Sequence, residues 1–531
     1  MADLHDTLAP IEGPFNLCEY FLDSNVKAGR GDKTALICGE ESRTYGQVAE
    51  RARRVAGALR IAGVRPEERV LIVLPDGLEF AESFFGVLRA GAVFAMVNPL
   101  LKSGDYEHYL EYAKPRIVIT CVDVLPELSA AARDSRFVKT MFVVGAGDSV
   151  DAHGFTPYEE AVENESALNS GYLEPTGLDD LAGWLFTSGS TGHPKACVHT
   201  HGDFRWSTET YAKQVAGYRE DDICLSVPKL FFGYATGTNL MFPFAVGATA
   251  VLFSGRSTED ELFDHIAAHR VTFLTNVPTM INKMLTSPRC DEVDLTCLRL
   301  SLSAGEALPA SLYSKWIERT GVEILDGIGS AEMFHIYISG YPGRVRTGSL
   351  GNLVPGYEVE IVNADFTPVA DGEVGRLRVR GGSTALCYWG DKKKSRETFQ
   401  GDWCTTGDLF RKDEEGYYFY EGRADDLLKV SGIFVSPLEI EDALLSHPAV
   451  AEVCVVGHNE ADLVKPYAFV VLAPGSTGDD DLSAALKAHL KDRLAPYKYP
   501  RWFEWCDELP KNDRGKIARK DLKARLASTT V

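Results

Sequence analysis

The stretch that runs from Trp184 to Lys195, WLFTSGSTGHPK, decides the fold, because an apolar strand leads there into a loop of hydroxyl and glycine residues. Glycine lets the backbone approach a bulky anion, and successive N–H groups in such a loop form an anion-binding nest. The hydroxyl groups add donors, and the lysine adds positive charge. We expect this loop to bind a polyphosphate through Thr187, Ser188, Gly189, Ser190, Thr191, Gly192 and Lys195.

This loop has two other interpretations. A Ser/Gly-rich surface turn usually binds nothing, but the preceding strand and the terminal lysine argue against an empty turn. A Walker A loop places Lys directly after Gly and then Ser or Thr. Here His193 and Pro194 separate Gly192 from Lys195, and Ala196 follows, so the Walker A class is disfavoured.

Short apolar runs alternate with helical patterns around the loop. Residues 70–74 and 92–97 read as buried strands on either side of a helix over residues 80–88. This alternation predicts a layered α/β structure with much parallel sheet. A chain of 531 residues is too long for one hydrophobic core, so we expect at least two domains.

The pattern changes after about residue 350, and the polar segment 423–426 is a candidate linker. We therefore predict a large N-terminal domain over residues 1–424, built of several subdomains with layered sheets and helices. Residues 425–531 should form a small α+β domain. Its first helix should begin at Ser436, with Pro437 at the first helical position and a capping box closed by Glu439.

Composition narrows the class of function. The net charge of −21 argues against a nucleic-acid or anionic-membrane partner, because both require a basic surface. The first residues lack the features of a signal peptide, and no stretch is apolar for long enough to span a bilayer. The eleven cysteines never form a Cys-x-x-Cys pair. We expect a cytoplasmic protein without disulfides.

Five further segments, taken with the loop, resemble the signatures of the adenylate-forming superfamily in their usual order. The superfamily contains acyl-CoA and aryl-CoA ligases, adenylation domains that load carrier proteins, and luciferases. The resemblance extends from about residue 16 to residue 520. The segments are SAGEAL at 303–308, DGIGSAE at 326–332, TGD at 406–408, RADDLLKVSG at 423–432 and PKNDRGK at 510–516.

The resemblance implies a role for each segment. Glu332 should help to hold Mg²⁺, Lys516 should be the catalytic lysine of adenylation, and Asp425 should be the hinge about which the small, mobile domain rotates. Lys429, Ser431 and Gly432 should face the thiol tunnel. Contacts to ATP or AMP are implied for Gly305, Glu306, Ala307, Asp326, Gly327, Ile328, Gly329, Ser330, Asp408 and Arg423. The superfamily usually has Thr where this chain has Ala331, so one hydroxyl near the phosphates is missing.

The stretches KLFFGY at 229–234 and EMFHI at 332–336 look most like those of benzoate-CoA ligases and their relatives. The resemblance implies a flat pocket for an aromatic ring. The pocket candidates are Phe232, Tyr234, Ala235, Ala304, Ile328 and His335. His335 has two interpretations: a histidine satisfied within the core, or a partner for a polar ortho group on the ring.

The expected activity is that of an aryl acid–CoA ligase that uses ATP, Mg²⁺ and coenzyme A. It would form an aryl-AMP and then a thioester, with benzoate and 2-aminobenzoate as equal candidates for the acid. Three alternatives stay open: an enzyme that loads a carrier-protein thiol, a nucleotide-binding module without activity, and a phosphotransferase that forms ADP. Superfamily members are often dimers, so a homodimer is also open.

Overall fold

The computed structural model describes residues 8–146, 155–187, 194–430, 433–460, 463–511 and 517–529. Its strands are β1 Thr34–Cys38, β2 Glu41–Thr44, β3 Arg69–Val73, β4 Val93–Met96, β5 Ile117–Cys121, β6 Thr140–Val144, β7 Thr156–Pro157, β8 Leu181–Thr187, β9 Lys195–Thr200, β10 Ile223–Ser226, β11 Thr249–Leu252, β12 Phe273–Asn276, β13 Leu300–Ala304, β14 Ile324–Gly329, β15 Ile336–Ser339, β16 Asn352–Leu353, β17 Tyr357–Val362, β18 Gly375–Gly381, β19 Cys387–Tyr388, β20 Phe399–Gln400, β21 Trp403–Lys412, β22 Tyr418–Arg423, β23 Leu428–Val430, β24 Ile433–Val435, β25 Val450–Glu460, β26 Leu463–Leu472 and β27 Trp502–Cys506.

The α-helices are α1 Tyr45–Ile61, α2 Leu78–Arg89, α3 Ser103–Ala113, α4 Leu125–Asp134, α5 Tyr158–Glu163, α6 Glu165–Ser170, α7 His201–Ser207, α8 Gly233–Thr236, α9 Phe242–Val246, α10 Glu259–His269, α11 Pro278–Thr286, α12 Arg289–Glu292, α13 Ala310–Thr320, α14 Lys392–Thr398, α15 Pro437–Leu445, α16 Asp480–Lys491 and α17 Arg519–Thr529. Short π-helical turns occur at Glu19–Asp23, Val26–Arg30, Thr208–Ala216 and Gly237–Met241, and 3₁₀ turns at Val122–Val124, Ala331–Met333, Ala424–Asp426 and Pro496–Lys498.

Two large sheets organise the first four hundred residues. One has nine strands in the order β16-β15-β14-β13-β12-β10-β11-β1-β2, and the other has eight in the order β19-β9-β8-β4-β3-β5-β6-β7. The central strands of both sheets pair in parallel. Their sequences are continuous apolar runs because parallel sheets are covered on both faces. The predicted strands over residues 70–74 and 92–97 correspond to β3 and β4.

Helix α2 fills the core beside these sheets. Almost every residue from Leu78 to Leu88 is buried, which a helix achieves only when it is surrounded by protein. Phe85 contacts Phe244 at 4.9 Å between ring centroids, and Phe84 contacts Phe94 at 4.7 Å. The helix predicted over residues 80–88 therefore lies at the centre of the large domain.

A five-stranded sheet contains β17, β18, β20, β21 and β22. Residues after 427 form a two-stranded hairpin, β23–β24, and a three-stranded sheet, β25–β26–β27. Leu486 and Leu490 of α16 are fully buried against this last unit, as their helical spacing predicts. The predicted α/β architecture, with a large N-terminal and a small C-terminal domain, is confirmed. The boundary between residues 424 and 425 stays a prediction.

The start of α15 differs in detail from its prediction. Ser436 is the N-cap and Pro437 the first helical residue, but the Ser436 side chain makes no capping hydrogen bond. Glu439 pairs with Lys498 instead of reaching back to the N-cap. The predicted capping box is therefore wrong, because Glu439 forms an ion pair with a residue distant in sequence. Among the described residues, no helix has the length and apolar character needed to cross a membrane.

Candidate active site

The carboxyl ends of two neighbouring strands meet at one edge of the nine-stranded sheet. β13 and β14 are parallel, and Ala304 lies opposite Gly327. Gly305 follows β13 with φ of 91°, a conformation that glycine adopts without strain. The next residue, Glu306, accepts a 2.7 Å hydrogen bond from the Thr279 hydroxyl. The two segments predicted to contact the nucleotide, 305–307 and 328–330, therefore emerge side by side.

Asp326 lies on β14, just before this edge, and is buried. Burial raises the pKa of its carboxyl to about 7, because the charged form loses its hydration. The backbone C=O of Asp326 accepts from the N–H of Gly340. Asp326 is thus placed beneath the predicted nucleotide segments rather than on an open surface.

The strands on either side of the phosphate loop pair with each other at its base. β8 ends at Thr187, directly opposite Lys195 at the start of β9. Residues 188–193 of the loop lie outside the described ranges. They include five of the residues predicted to bind phosphate: Ser188, Gly189, Ser190, Thr191 and Gly192. The Lys195 ammonium lies 3.2 Å from the Asp391 carboxylate. A positive charge therefore marks the described end of the loop.

Tyr112 of α3 stabilises the base of the phosphate loop through two hydrogen bonds. Its hydroxyl accepts from the N–H of Ala196 at 3.2 Å and donates to the carbonyl oxygen of Trp389 at 2.6 Å. Both contacts join segments distant in sequence, so the position of Lys195 relative to β19 is fixed by a side chain of a third element.

Glu332 lies in the 3₁₀ turn Ala331–Met333 that follows β14. Its Oε1 accepts a 2.6 Å hydrogen bond from the Tyr388 hydroxyl. Tyr388 is also 5.6 Å from the Lys195 ammonium, measured to the ring centroid. Within the described residues, Glu332 Oε2 has no hydrogen-bond donor. A carboxylate with one free oxygen beside the phosphate-loop lysine fits the oxygen preference of Mg²⁺.

Asp408 and Arg423 lie opposite each other on the antiparallel strands β21 and β22. Their charged groups are 3.5 Å apart, and the Tyr420 hydroxyl donates to Asp408 Oδ1 at 3.4 Å. A Cβ atom on Gly407 would lie 2.4 Å from an Arg423 nitrogen, so a larger residue here would displace the guanidinium from this turn. The pair presents a carboxylate and a cation together, which suits ribose hydroxyls and a phosphate.

The predicted ring pocket groups around α8. Ala235 and Ala304 are buried, Phe232, Tyr234 and Ile328 are half-buried, and His335 is 2% exposed. The His335 ring packs between Tyr211 at 5.3 Å, Tyr234 at 5.5 Å and Phe242 at 4.6 Å. A Cβ on Gly237 would lie 2.5 Å from the same ring. Aromatic faces and small residues therefore adjoin each other here.

The predicted nucleotide segments that follow β13 and β14 lie side by side, and similarity to known proteins agrees with the motifs. Residues 22–389 match the AMP-binding enzyme family, and residues 439–516 match the AMP-binding enzyme C-terminal domain. The chain belongs to the AMP-binding enzyme family. The resemblance inferred from the motifs is thereby confirmed.

Individual members of the family resemble this AMP-binding enzyme over its whole length. The benzoate–CoA ligase of Thauera aromatica is 41% identical over an alignment of 531 positions, which covers 99% of each chain. The crystal structure of the anthranilate CoA ligase AuaEII with anthranoyl-AMP superposes with a TM-score of 0.94 at 37% identity, covering 99% of both chains. A benzoate CoA ligase from Burkholderia xenovorans LB400 gives 0.87 at 41% identity, covering 96% of this chain and 99% of that chain.

Three predicted functions of this AMP-binding enzyme fall in or beside segments that the structure leaves undescribed. Lys516, Ser431 and Gly432 lie outside the described ranges. Lys429 is exposed on β23, and Asp425 is exposed in the 3₁₀ turn that follows β22. Lys511 and Ile517 pair across the segment that contains Lys516.

Sequence reasoning missed several side chains that hold the site together. Tyr388 bonds Glu332, Asp391 pairs with Lys195, Tyr420 bonds Asp408, and His199 bonds the carbonyl oxygen of Ala331. Each contact joins elements that are separate in the sequence. The sequence around a single Tyr, Asp or His does not indicate which distant residue it will contact. The sequence pattern therefore could not predict these four contacts.

Proposed function

We propose that this AMP-binding enzyme is an ATP-dependent aryl acid–CoA ligase whose preferred acid is 2-aminobenzoate. The broader prediction, an AMP-forming acid–thiol ligase for benzoate-class acids, is confirmed by full-length similarity to benzoate–CoA ligases. The choice between benzoate and 2-aminobenzoate goes further and rests on the hydrogen-bonding state of His335.

The His335 ring has one satisfied and one unsatisfied nitrogen. Nε2 lies 3.2 Å from the carbonyl oxygen of Tyr234, which can only accept, so Nε2 carries the proton. Burial lowers the pKa of His335 to about 3, so the ring is neutral near pH 7. Nδ1 is therefore a bare acceptor, and it has no partner among the described residues.

A buried acceptor without a donor costs about 1–3 kcal/mol, and so does a buried hydroxyl without a partner. The Tyr234 hydroxyl is in the same state within the described part of the chain, and its pKa is raised by burial. Benzoate supplies no donor from its ring. A 2-amino group supplies N–H donors, which supports 2-aminobenzoate over benzoate as the acid.

The reaction needs positioning more than general acid–base chemistry. The acid carboxylate attacks the α-phosphorus of ATP, and pyrophosphate leaves. Lys195 and the loop that precedes it would hold the leaving pyrophosphate, while Asp408 and Arg423 would hold the ribose and phosphate. Aligning two anions in this way removes much of the barrier that arises from misorientation and charge repulsion.

Glu332 would hold Mg²⁺ through its free oxygen, and the bound ion would balance negative charge on the phosphates. Lys516 would add a second positive charge near the α-phosphate. In the second half-reaction the CoA thiolate attacks the acyl carbonyl, and AMP leaves with the bonding electrons. The Lys429 side of β23 would face the thiol after the small domain rotates.

The test measures pyrophosphate and AMP release with benzoate, 2-aminobenzoate, 2- and 4-hydroxybenzoate and an aliphatic acid, each with and without CoA. We expect AMP release that requires CoA and is fastest with 2-aminobenzoate. Pyrophosphate exchange without CoA turnover would instead point to a carrier-protein acceptor. Equal or faster turnover of benzoate would contradict the assignment of the 2-amino group.

Two variants test whether His335 and Tyr234 produce the preference for 2-aminobenzoate over benzoate. His335→Leu and Tyr234→Phe should lower kcat/KM for 2-aminobenzoate by about tenfold relative to benzoate, the discrimination expected when one hydrogen bond is lost. Tyr234→Phe removes only a hydroxyl and controls for damage to packing by the His335 change. A parallel loss for both acids would mean that His335 is a core residue.

A further inference from the structure

A buried histidine joins the strand after the phosphate loop to the turn that carries Glu332. His199 lies on β9, four residues after Lys195, and its side chain has no exposed surface. Its Nε2 is 2.7 Å from the carbonyl oxygen of Ala331, and its Nδ1 is 2.7 Å from Oδ2 of Asp203. Neither the proposed substrate contacts nor the predicted motifs involve this histidine.

The chemistry of the two partners fixes the direction of these bonds. A carbonyl oxygen only accepts, so His199 donates from Nε2 to Ala331. Nδ1 therefore faces the Asp203 carboxylate, with one proton between them. Asp203 is itself held, because its Oδ1 accepts from the Thr200 hydroxyl at 2.7 Å and its Oδ2 from the Thr200 N–H at 3.2 Å. The imidazole cannot rotate without breaking this chain of bonds.

The turn that carries Glu332 accepts hydrogen bonds from residues in other parts of the chain. The 3₁₀ turn Ala331–Met333 is followed by Phe334 with φ of 60° and ψ of −55°, a conformation that residues other than glycine rarely adopt. All three carbonyls of the turn accept from distant groups: Ala331 from His199, Glu332 from the Ala385 N–H at 2.8 Å, and Met333 from the Ser383 hydroxyl at 2.8 Å.

Of these three donors, only His199 belongs to the strand that begins at Lys195. His199 therefore joins the backbone of the turn that carries Glu332 to the strand that begins at Lys195, across 132 residues of sequence. Tyr388, which bonds the Glu332 carboxylate, is a second link to Lys195. Loss of a side chain that orients a metal ligand typically costs about 10- to 100-fold in metal affinity or activity. The Asp203–His199 pair has the geometry of such a support.

We propose that His199, oriented by Asp203, is a positioning residue that fixes the turn carrying Glu332 relative to Lys195 for adenylation. The proposal rests on the proposed function, because it assigns Glu332 to the Mg-ATP half of the reaction. It predicts that loss of the His199 donor weakens Mg-ATP binding and slows adenylation, but leaves the thiol half-reaction intact.

The experiment compares His199→Leu with His199→Gln. The amide nitrogen of Gln reaches the place of Nε2 and can donate to the Ala331 carbonyl, whereas Leu fills similar space without a donor. His201→Leu is the matched control, because His201 is equally buried but accepts from the Leu17 N–H, and its Nε2 has no hydrogen-bond partner among the described residues. Mg-ATP binding is measured by calorimetry without acid, alongside both half-reactions and thermal unfolding.

We expect His199→Leu to weaken Mg-ATP binding about tenfold, as the loss of one buried hydrogen bond predicts, and to raise the KM for Mg-ATP in proportion. Thioester formation from supplied aryl-AMP should stay within about twofold of the wild-type rate, a change well below that expected for one lost hydrogen bond. His199→Gln should restore most of the Mg-ATP affinity, and His201→Leu should leave it unchanged. Equal losses in Leu and Gln variants, or equal slowing of both half-reactions, would overturn the positioning role.

Failure of the proposed function gives a different result. If the wild-type enzyme released no acid-dependent pyrophosphate, the ligase assignment would fail, yet calorimetry of Mg-ATP would still report on His199. Unchanged Mg-ATP binding in a folded His199→Leu variant would overturn the inference whatever the acid substrate is.

Discussion

At the scale of single residues, Ala331 lacks the hydroxyl that the superfamily usually has at this position, and the neighbouring Ser330 carries one. The Ser330 hydroxyl is buried and has no partner among the described residues, while Ala331 offers only its carbonyl, which His199 occupies. We expect Ser330→Ala to raise the KM for Mg-ATP about five- to tenfold, because the phosphates lose one hydrogen bond. Initial rates of pyrophosphate release at varied Mg-ATP measure this effect.

The double variant Ser330→Ala/Ala331→Thr is the control for that prediction. It returns a hydroxyl to the position where the superfamily usually has one, so we expect it to recover most of the Mg-ATP affinity. No change in KM for Ser330→Ala would show that its hydroxyl does not face the phosphates. No recovery in the double variant would show that a hydroxyl at residue 331 cannot reach them.

Residue-scale prediction from sequence marks segments in which glycine, hydroxyl and charged residues lie close together in the chain. Two of these segments follow the neighbouring strands β13 and β14 at one edge of the nine-stranded sheet, and their contacts to the nucleotide stay predictions. Prediction from sequence missed His199 and Tyr388, whose contacts span 132 and 56 residues. A hydrogen bond of that kind is determined by the packing of separate elements, and neither residue type nor spacing encodes it.

At the scale of elements, one buried carboxylate fastens the segment that leads into α8. Asp76 Oδ1 accepts from the Leu230 N–H at 2.8 Å, and burial raises the pKa of Asp76 to about 7. We expect Asp76→Ala to cost about 1–3 kcal/mol at this segment, because a buried N–H loses its acceptor. The KM for the aryl acid should rise several-fold, while the KM for Mg-ATP stays near the wild-type value.

Asp76→Asn is the matched variant, since its amide oxygen can still accept from Leu230 without bringing a charge into the core. It should keep the wild-type KM for the acid. Steady-state kinetics with acid and Mg-ATP varied in turn distinguish the outcomes. If Asn and Ala variants behaved alike, the charge of Asp76 and its electrostatic interaction with Lys229 would matter more than the hydrogen bond.

Elements themselves were predicted well where periodicity is strong. The apolar runs of β3 and β4 and the apolar helix α2 follow directly from their sequences. The beginning of α15 was also found, but its capping box was not formed, since Glu439 pairs with Lys498, 59 residues away. Local preference fixes where a helix begins, and tertiary contacts decide what its side chains bind.

At the scale of the whole molecule, the residues just before and just after Asp425 have different partners. Those before it contact the five-stranded sheet, and those after it contact helices near the C-terminus. Arg423 faces Asp408 at 3.5 Å, within the five-stranded sheet. Asp426 instead pairs with Lys523 of α17 at 2.8 Å, and Arg519 of the same helix pairs with Glu441 of α15 at 2.6 Å. The chain therefore passes from one set of partners to the other within three residues, which supports the predicted boundary and the hinge at Asp425.

A hinge there implies that the small domain brings Lys516 to the nucleotide in one half-reaction and withdraws it in the other. We expect Lys516→Ala to slow pyrophosphate release by about 100-fold or more, because the developing charge on the α-phosphate loses a cation. Thioester formation from supplied aryl-AMP and CoA should stay near the wild-type rate. Lys511→Ala is the matched control, since Lys511 pairs with Glu452 at 3.1 Å and has no assigned role. Single-turnover assays of each half-reaction separate the two rates, and an equal fall in both would rule out alternating positions of the small domain.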